Sequence, residues 1–338
     1  MQAKVYDEIR TGLEEKQASL QEWLERTPEE KKEFQLGMAD ETAVENQLET
    51  IDTALQELDA GTLGVCEVCH DMVDQSLLLM NYTACVCLDH YSDAERRQLE
   101  NELELSQAVQ RGLLPQHIPQ IPGLDIAAFS RPSHIVTGDY FDFVQFKDGS
   151  PGLVIADVSG HGVSAGLLMA SLQTAFHTLS PDTISPIEVL ERLNRLYVHN
   201  INFSTFATVF FARLDPETLK LCYANAGHPA YFYRASTDED VWLPRTAPAI
   251  GLVEDYPTGV AELQLLPGDV LVLYTDGITE AMDRHHRQFG ETALADVIRR
   301  NRDASAEKLV GALLDSLNAY LDGSHLSDDI TLVVAKVR

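Results

Sequence analysis

The 338-residue sequence predicts an α+β fold in which two stacked, largely antiparallel sheets are flanked by helices over residues 115–338. Short apolar runs rich in β-branched residues predict buried strands. Longer segments with leucines at helical spacing predict amphipathic helices that cover the sheets. Strands are expected near Leu153, at Phe206–Ala212, at Leu219–Ala224, near Val270 and near Leu332, and helices at Ser164–Leu179, Pro186–Val198 and Ala306–Leu321, the last capped by Ser305.

Residues 1–91 are predicted to form a helical hairpin followed by a cysteine-rich segment. Apolar residues recur at helical spacing on both sides of Thr27-Pro28, a pair typical of a helix that starts again. Two such helices in succession predict an antiparallel hairpin. The first stretch contains Val5, Ile9, Leu13, Leu20 and Leu24, and the second contains Val44, Leu48, Ile51, Leu55 and Leu58.

Residues 92–114 are predicted to form a helical linker between the hairpin segment and the large domain at 115–338. Leu99, Leu103, Leu105, Val109 and Leu113 lie along it, with glutamate-rich faces between them. The linker either transmits a regulatory signal or simply packs on the large domain.

Composition restricts the classes of partner. The chain has 53 acidic and 25 basic residues, a formal net charge of −28, which argues against a broad nucleic-acid surface because phosphate backbones are bound chiefly by lysine and arginine. A protein partner is therefore expected rather than DNA or RNA. There is no signal-peptide core and no apolar run of membrane-spanning length, so a soluble cytoplasmic protein is expected.

Four aspartates in short motifs beside apolar runs are the main candidates for a functional site. Oxygen ligands without histidine or thiolate suit a hard cation such as Mg²⁺ or Mn²⁺, and two such ions about 4 Å apart activate water for hydrolysis at phosphorus. Each Asp-Gly or Asp-Asp alone is equally an ordinary turn, but four together favour the metal site. The motifs are Asp139 in Gly138–Asp142, Asp157 in Ala156–Gly162, Asp276 in Tyr274–Gly277 and Asp328 in Ser327–Thr331.

From about Glu100 to Arg338 the chain resembles bacterial serine phosphatases of the SpoIIE and RsbU type, relatives of the metal-dependent type 2C protein phosphatases. The resemblance implies the type 2C fold, an α/β-β/α sandwich. It rests on the four aspartate motifs together with Gln107–Pro115, Ile121–Leu124, Leu214–Pro216, Ala224–Pro229 and Leu266–Asp269, all in the family's order.

The resemblance also implies roles for individual residues in binding two Mn²⁺ or Mg²⁺ ions. Asp157 bridges the two ions, and Asp139 and the backbone carbonyl of Val158 complete one of them. Asp276 and Asp328 bind the other ion. The remaining candidates are Asp329, either a ligand or a neighbour of the ligands, Asp142, whose role is open, His161, either a proton donor or a loop residue, and His228, a structural residue that orients a turn.

For this family, the implied activity is that of a phosphoserine or phosphothreonine protein phosphatase. The implied substrate is a phosphorylated anti-sigma-factor antagonist of the STAS-domain type in a partner-switching pathway. A hydrolase of small phosphorylated metabolites is a further alternative, which activity on such molecules exceeding that on phosphoproteins would reveal.

The cysteine-rich segment predicts one structural Zn²⁺ site. Cys66 and Cys69 form a Cys-x₂-Cys pair, and Cys87 and His90 form a Cys-x₂-His pair after an intervening loop, a spacing that closes a tetrahedral site. Cys85 competes with His90 for the fourth position. Free thiols in a reduced cytoplasm are the alternative.

Leu58–Cys69 resembles the zinc finger of the DksA and TraR family of transcription regulators. That family implies RNA polymerase as a partner, and a polymerase-binding regulator with a phosphatase fold used only for binding is the competing hypothesis. We favour a hairpin that mediates dimerisation or sensing, because its acidic pair Asp40-Glu41 lies near the middle rather than at a tip. In RsbU-like enzymes the linker helix signals by changing dimer packing, so a homodimer through the N-terminal and linker helices is expected.

Overall fold

A computed structural model of the chain describes residues 9–11, 13–14, 17–18, 20–21, 42–66, 68–71, 73 and 93–338, except 134, 161, 201–205, 255, 257–258, 324–325 and 327. The chain divides into two compact units, Met1–Leu103 and Glu104–Arg338. This division falls inside the predicted linker, and the predicted boundaries at 91/92 and 114/115 stay predictions. No helix in the described ranges is long and apolar enough to cross a membrane.

In the first unit, the described helical residues between 9 and 21 lie antiparallel to helix α1, Thr42–Ala60. Arg10 donates a hydrogen bond to Asp59 at 2.6 Å, and Gln17 donates one to Asp52. The residue number in α1 falls as the residue number in the first helical stretch rises, as expected for the two antiparallel helices of the predicted hairpin. The residues buried along the two helices are Ile9, Leu13, Leu20, Ile51, Ala54 and Leu58.

The second unit contains two five-stranded sheets in which neighbouring strands are antiparallel. Sheet A has the order β1-β10-β9-β6-β7, and sheet B has the order β2-β3-β4-β5-β8. The strands of sheet A are β1 Leu124–Arg131, β6 Ala230–Arg234, β7 Glu239–Trp242, β9 Val270–Tyr274 and β10 Ile330–Val337. Those of sheet B are β2 Asp139–Gln145, β3 Pro151–Val158, β4 Ala207–Asp215, β5 Lys220–Ala226 and β8 Ala261–Gln264.

Helices cover the outer face of each sheet. Side chains of the central strands therefore alternate between the space under the helices and the space between the sheets. One buried cluster joins the inner faces of both sheets and includes Ile155, Phe210, Phe232 and Leu273. The helices are α2 Asp93–Leu113, α3 Gly162–Leu179, α4 Pro186–Asn200, α5 Asp276–Thr279, α6 Gly290–Arg300 and α7 Ala306–Leu321, with α3 and α4 on sheet B and α6 and α7 on sheet A.

The predicted sandwich of two antiparallel sheets flanked by helices is confirmed. All five predicted strands and the three predicted helices of the large domain are present, and Ser305 caps α7 by accepting a hydrogen bond from the Lys308 N–H. The predicted helix at Ser164 begins two residues earlier, at Gly162. Elements that were not predicted include β6 and β7, which are short, and α6.

Candidate metal centre and active site

Asp139 and Asp157 lie side by side at one end of sheet B. Asp139 is the first residue of β2 and pairs in register with Asp157 near the end of β3. Strand alternation puts both on the same face as Phe141 and Ile155, which belong to the cluster between the two sheets. Asp139 is only 2% exposed. The two carboxylates therefore face the space between the sheets.

Asp276 and Asp328 come from sheet A at the same end of the sandwich. Asp276 follows β9 and Asp328 precedes β10, and because these strands are antiparallel neighbours, the end of one lies beside the start of the other. Gly277 allows this approach, since a Cβ built on it would lie 2.0 Å from the backbone oxygen of Asp329. No side chain fits there, which gives a physical reason for the Asp-Gly sequence.

Thr275 connects the two sheets at this edge. Its hydroxyl donates a hydrogen bond to Oδ2 of Asp139 at 2.8 Å and accepts one from the Thr331 N–H at 2.9 Å. One short side chain thus bonds the end of β9 to both β10 and the first aspartate of β2. Thr275 lies within the Tyr274–Gly277 motif, but the sequence predicted no role for it.

Asp329 is buried and saturated with hydrogen bonds from the loop that precedes β2. Oδ1 accepts from the N–H and the hydroxyl of Ser133, at 2.7 and 2.9 Å. Oδ2 accepts from the Thr137 hydroxyl at 2.6 Å and the Gly138 N–H at 3.0 Å. All four partners are donors, so the carboxylate holds this loop in place immediately before Asp139.

Of the other predicted residues in this region, Val158 lies at the site and Asp142 lies on the outer face of sheet B. Asp142 points away from the other aspartates, because it accepts hydrogen bonds from the Tyr140 hydroxyl at 2.9 Å and from His177 of α3 at 2.8 Å. The Val158 carbonyl lies against Gly138, where an added Cβ would be 2.9 Å from it. His161 lies outside the described residues.

Electrostatic repulsion is concentrated at this edge. Burial, and then the charges of Asp276, Asp328 and Asp329, raise the pKa of Asp157 to about 7. Burial and the neighbouring Asp157 also raise the pKa of Asp139 well above its usual range, against the opposing hydrogen bonds from Thr331 and Thr275. Burial, followed by Asp328 and Glu280, raises the pKa of Asp276.

The described part of the chain contains no group of three carboxylate, imidazole or thiol side chains placed to hold one ion as they stand. The edge brings carboxylates from both sheets together, which is the arrangement expected of an oxygen-ligand cation site.

A pocket of about 430 Å³ opens at this edge between the sheets. Its lining includes the carboxylates Asp157, Asp276, Glu280 and Glu291, together with Thr208 and Arg245. The volume is in the range of small-ligand sites and exceeds what a phosphoryl group alone requires. Neither Thr208 nor Arg245 was identified from the sequence.

His228 also lines this pocket. It is 2% exposed, its Nδ1 bonds to the Thr208 hydroxyl at 2.8 Å, and its backbone N–H donates to Oδ1 of Asn225 at 2.9 Å. Nε2 makes no hydrogen bond to the described residues. Burial lowers the pKa of His228 to about 3, so the ring is neutral. The bond to Asn225 agrees with the predicted role in orienting a turn.

Two of the predicted zinc ligands are described, and the others are not. Cys66 is buried, and its Sγ accepts a hydrogen bond from the Val68 N–H at 3.4 Å, while the His70 N–H donates to the Cys66 carbonyl at 2.8 Å. Cys69 lies partly exposed in the same tight turn. Cys85, Cys87 and His90 lie outside the described residues.

Comparison with known proteins identifies the family to which this chain is similar. The sequence model of the family described as Stage II sporulation protein E (SpoIIE) matches residues 147–338. The phosphoserine phosphatase RsbU of Bacillus subtilis (strain 168) is 35% identical over 243 residues, which cover 71% of each chain.

Solved structures agree with the fold. The SiaA-PP2C domain of Pseudomonas aeruginosa gives a TM-score of 0.63 at 22% identity, covering 73% of this chain and 100% of that domain. The structure of the RsbU and RsbW domains of Rv1364c from Mycobacterium tuberculosis gives a TM-score of 0.56 at 29% identity, covering 67% of this chain and 63% of that one.

The sandwich is the fold of the PP2C phosphatase class. RsbX, which has a similar fold, was solved in complex with magnesium. The chain belongs to the SpoIIE family, and its enzymatic activity is that of a protein serine/threonine phosphatase.

Proposed function

We propose that the acidic edge binds two Mn²⁺ or Mg²⁺ ions, with Asp139, Asp157, Asp276, Asp328 and the Val158 carbonyl as ligands. The observation that carries this proposal is the convergence of four aspartates from both sheets, with burial and mutual repulsion raising the pKa of three of them. The donors are all oxygens, the type that both cations prefer. Bound cations supply an activated water and neutralise charge on the phosphoryl oxygens.

The protein's own contribution in this proposal is to place the ligands before the substrate arrives. The Thr275 hydroxyl orients Asp139 across the two sheets. Asp329, whose oxygens are already occupied by four donors, acts as a positioning residue for the loop that leads into Asp139 rather than as a ligand. His161 remains the candidate proton donor near the leaving group.

The proposed substrate is a phosphoserine or phosphothreonine on a STAS-domain antagonist of an anti-sigma factor, within a partner-switching pathway. Its support is the 35% identity to RsbU over most of both chains, RsbU being a phosphoserine phosphatase. The pocket of about 430 Å³ beside the aspartates leaves room for residues that flank a phosphorylated side chain.

The test is Mn²⁺-dependent phosphate release from a serine-phosphorylated STAS-domain protein. Wild type is compared with Asp276→Asn, and with Asp315→Asn as a control, because Asp315 is an exposed residue of α7 outside the pocket. We expect release by wild type and Asp315→Asn, and a loss of at least a hundredfold in Asp276→Asn. Faster turnover of small phosphorylated metabolites than of the phosphoprotein would contradict the protein substrate and indicate a hydrolase of small metabolites.

The polymerase-binding alternative is not favoured. Four aspartates at one edge repel one another, which destabilises the fold, and a phosphatase fold used only for binding would not need them. If wild type binds Mn²⁺ yet releases no phosphate from any phosphoprotein, direct binding to RNA polymerase becomes the next measurement.

For the first unit we propose one structural Zn²⁺ bound by Cys66, Cys69, Cys87 and His90, with Cys85 as the alternative to His90. The tight turn that brings Cys69 back towards Cys66, with an N–H···S bond to the buried Cys66, supports a site that begins here. Thiolate ligands require a reducing compartment, in line with a cytoplasmic location. Elemental analysis should give one zinc per chain, reduced in Cys66→Ser and Cys87→Ser, and comparing Cys85→Ser with His90→Ala decides the fourth ligand.

We also propose that the chain forms a homodimer through its N-terminal and linker helices. Supporting this, the second half of α2 and the start of α3 expose an apolar patch made of Leu105, Val109, Val163 and Leu167, which are 65%, 58%, 48% and 68% exposed. Exposed apolar area of this kind is typical of interaction surfaces. Light scattering should give a dimer mass for wild type and a monomer mass for Val109→Glu.

A further inference from the structure

Arg245 leaves sheet A at the same end as Asp276. Strand β6 is antiparallel to both β7 and β9, so β7 and β9 run in the same direction. Asp276 follows β9, and Arg245 follows β7 three residues after Trp242. Because β6 separates the two strands, their ends are about 10 Å apart. In an extended peptide this distance corresponds to about three residues.

The backbone on both sides of Arg245 is held by hydrogen bonds. The Leu243 N–H donates to the Ala230 carbonyl at 2.9 Å, and the Thr246 N–H donates to the Asn225 carbonyl at 2.8 Å. The fully buried Asn225 also donates its side-chain amide to the Leu243 carbonyl at 3.3 Å. The segment that carries Arg245 is therefore placed by the core of the domain, while the side chain itself is exposed.

The charge of Arg245 stands out against its surroundings. It is the one arginine or lysine among the described residues that line the pocket, which it shares with four carboxylates. Arginines such as Arg213, Arg234 and Arg299 form ion pairs with aspartates. Within the part of the chain that the structure describes, no ion pair is recorded for Arg245. Its guanidinium is therefore available to an anion that enters the pocket.

Trp242 provides an apolar surface on the same wall. Its ring packs edge-on against Tyr231 with centroids 5.4 Å apart, and it remains 40% exposed. A rigid aromatic surface beside an available guanidinium suits an extended acidic peptide.

We propose that Arg245 is a specificity-determining residue that binds a carboxylate of the protein substrate two or three residues away from the phosphorylated serine. This inference rests on the proposed phosphatase function. The spacing between β7 and β9 favours a flanking carboxylate over the phosphoryl group itself, because the phosphoryl group belongs at the aspartate edge.

The test uses full-length protein with Mn²⁺ and synthetic phosphoserine peptides that carry Glu at the second and third positions on either side of the phosphoserine, with Gln counterparts. We expect wild type to prefer a Glu peptide over its Gln counterpart in kcat/KM, mainly through KM. In Arg245→Ala this preference falls by at least tenfold, Arg245→Lys retains part of it, and Arg245→Glu reverses it. Arg300→Ala, which removes an exposed arginine of α6 with the same change in net charge, keeps the wild-type preference.

Hydrolysis of p-nitrophenyl phosphate by the same variants reports on the intact centre and should remain measurable in each. An equal loss of kcat/KM for Glu and Gln peptides in Arg245→Ala would overturn the inference, since it would indicate contact with the phosphoryl group or a structural role. Absence of wild-type activity on every phosphoserine substrate would instead refute the phosphatase function, and the inference with it.

Discussion

At the scale of single residues, the acidic edge separates side chains that face the pocket from side chains that hold them. Asp157 and Asp276 line the pocket, whereas Asp329 accepts four hydrogen bonds from the loop before β2. In the Asp328-Asp329 pair, Asp328 is exposed whereas Asp329 is buried, so these adjacent aspartates have different surroundings. Side chains of neighbouring residues at a strand end point in opposite directions. Asp328 can therefore serve as a metal ligand while Asp329 positions the loop before β2.

Asp329→Asn is expected to reduce phosphatase activity by tenfold or more and to weaken Mn²⁺ binding. The NH₂ group of the new amide would face either the donors of Ser133 or those of Thr137 and Gly138. Either orientation leaves one backbone N–H, of Ser133 or of Gly138, without its acceptor. Steady-state rates over a Mn²⁺ titration measure both effects. An unchanged Mn²⁺ dependence with normal activity would contradict the positioning role.

His228 should make stability fall in mild acid. Its folded pKa is about 3, below the ordinary value near 6.5, so the unfolded state binds more protons between these values. This contribution to stability is present above pH about 6.5 and is lost as pH falls towards 3, by up to about 1.4 kcal/mol per pH unit. Denaturant unfolding in metal-free buffer should show a shallower pH slope in His228→Asn than in wild type, whereas the exposed His117→Gln should keep the wild-type slope.

At the scale of elements, the sequence predicted those strands and helices whose local pattern is strong. The apolar runs of β3, β9 and β10 and the leucine spacing of α7 gave correct positions, because burial alone determines their composition. The short strands β6 and β7 were missed. β6 pairs with β9, which lies far from it in sequence, and β7 joins the sheet only through β6, so no local pattern reports either position in the sheet.

Some residues of the candidate site could likewise be identified from the sequence, and others could not. The aspartates were identifiable because each lies in a short motif next to an apolar run. Thr275, Thr208 and Arg245 were not, because their roles arise from contacts between sheets and between distant loops. A lone threonine or arginine has no spacing that distinguishes it from a surface residue.

Gly277, the second residue of α5, is expected to tolerate no side chain. In Gly277→Ala, the new Cβ meets the Asp329 carbonyl at 2.0 Å, so the two strand ends must separate. We expect a loss of about 2 kcal/mol or more in unfolding free energy together with loss of activity. Gly311→Ala in α7 is the matched control, because its Cβ meets open space and alanine favours the helix by about 1 kcal/mol. Equal stability of the two variants would refute the close approach.

At the scale of the whole molecule, negative charge is concentrated where the sheets meet, and each unit has its own set of buried residues. The large unit carries three apolar clusters around its sheets, whereas the buried residues described in the small unit belong to a helical hairpin and a cysteine turn. A metal that binds only the folded state stabilises a small unit directly. The two units should therefore respond to different metals.

Calorimetry of the full chain should show two transitions that separate in this way. Mn²⁺ at a hundred times its dissociation constant should raise the transition of the large unit, because binding only the folded state contributes about 2.7 kcal/mol. Asp276→Asn should abolish that rise. A zinc chelator should lower only the transition of the small unit, and Cys66→Ser should remove the chelator's effect. A single transition that moves with both treatments would mean that the two units unfold together, and the zinc module would then act on the phosphatase through shared stability rather than through a separate fold.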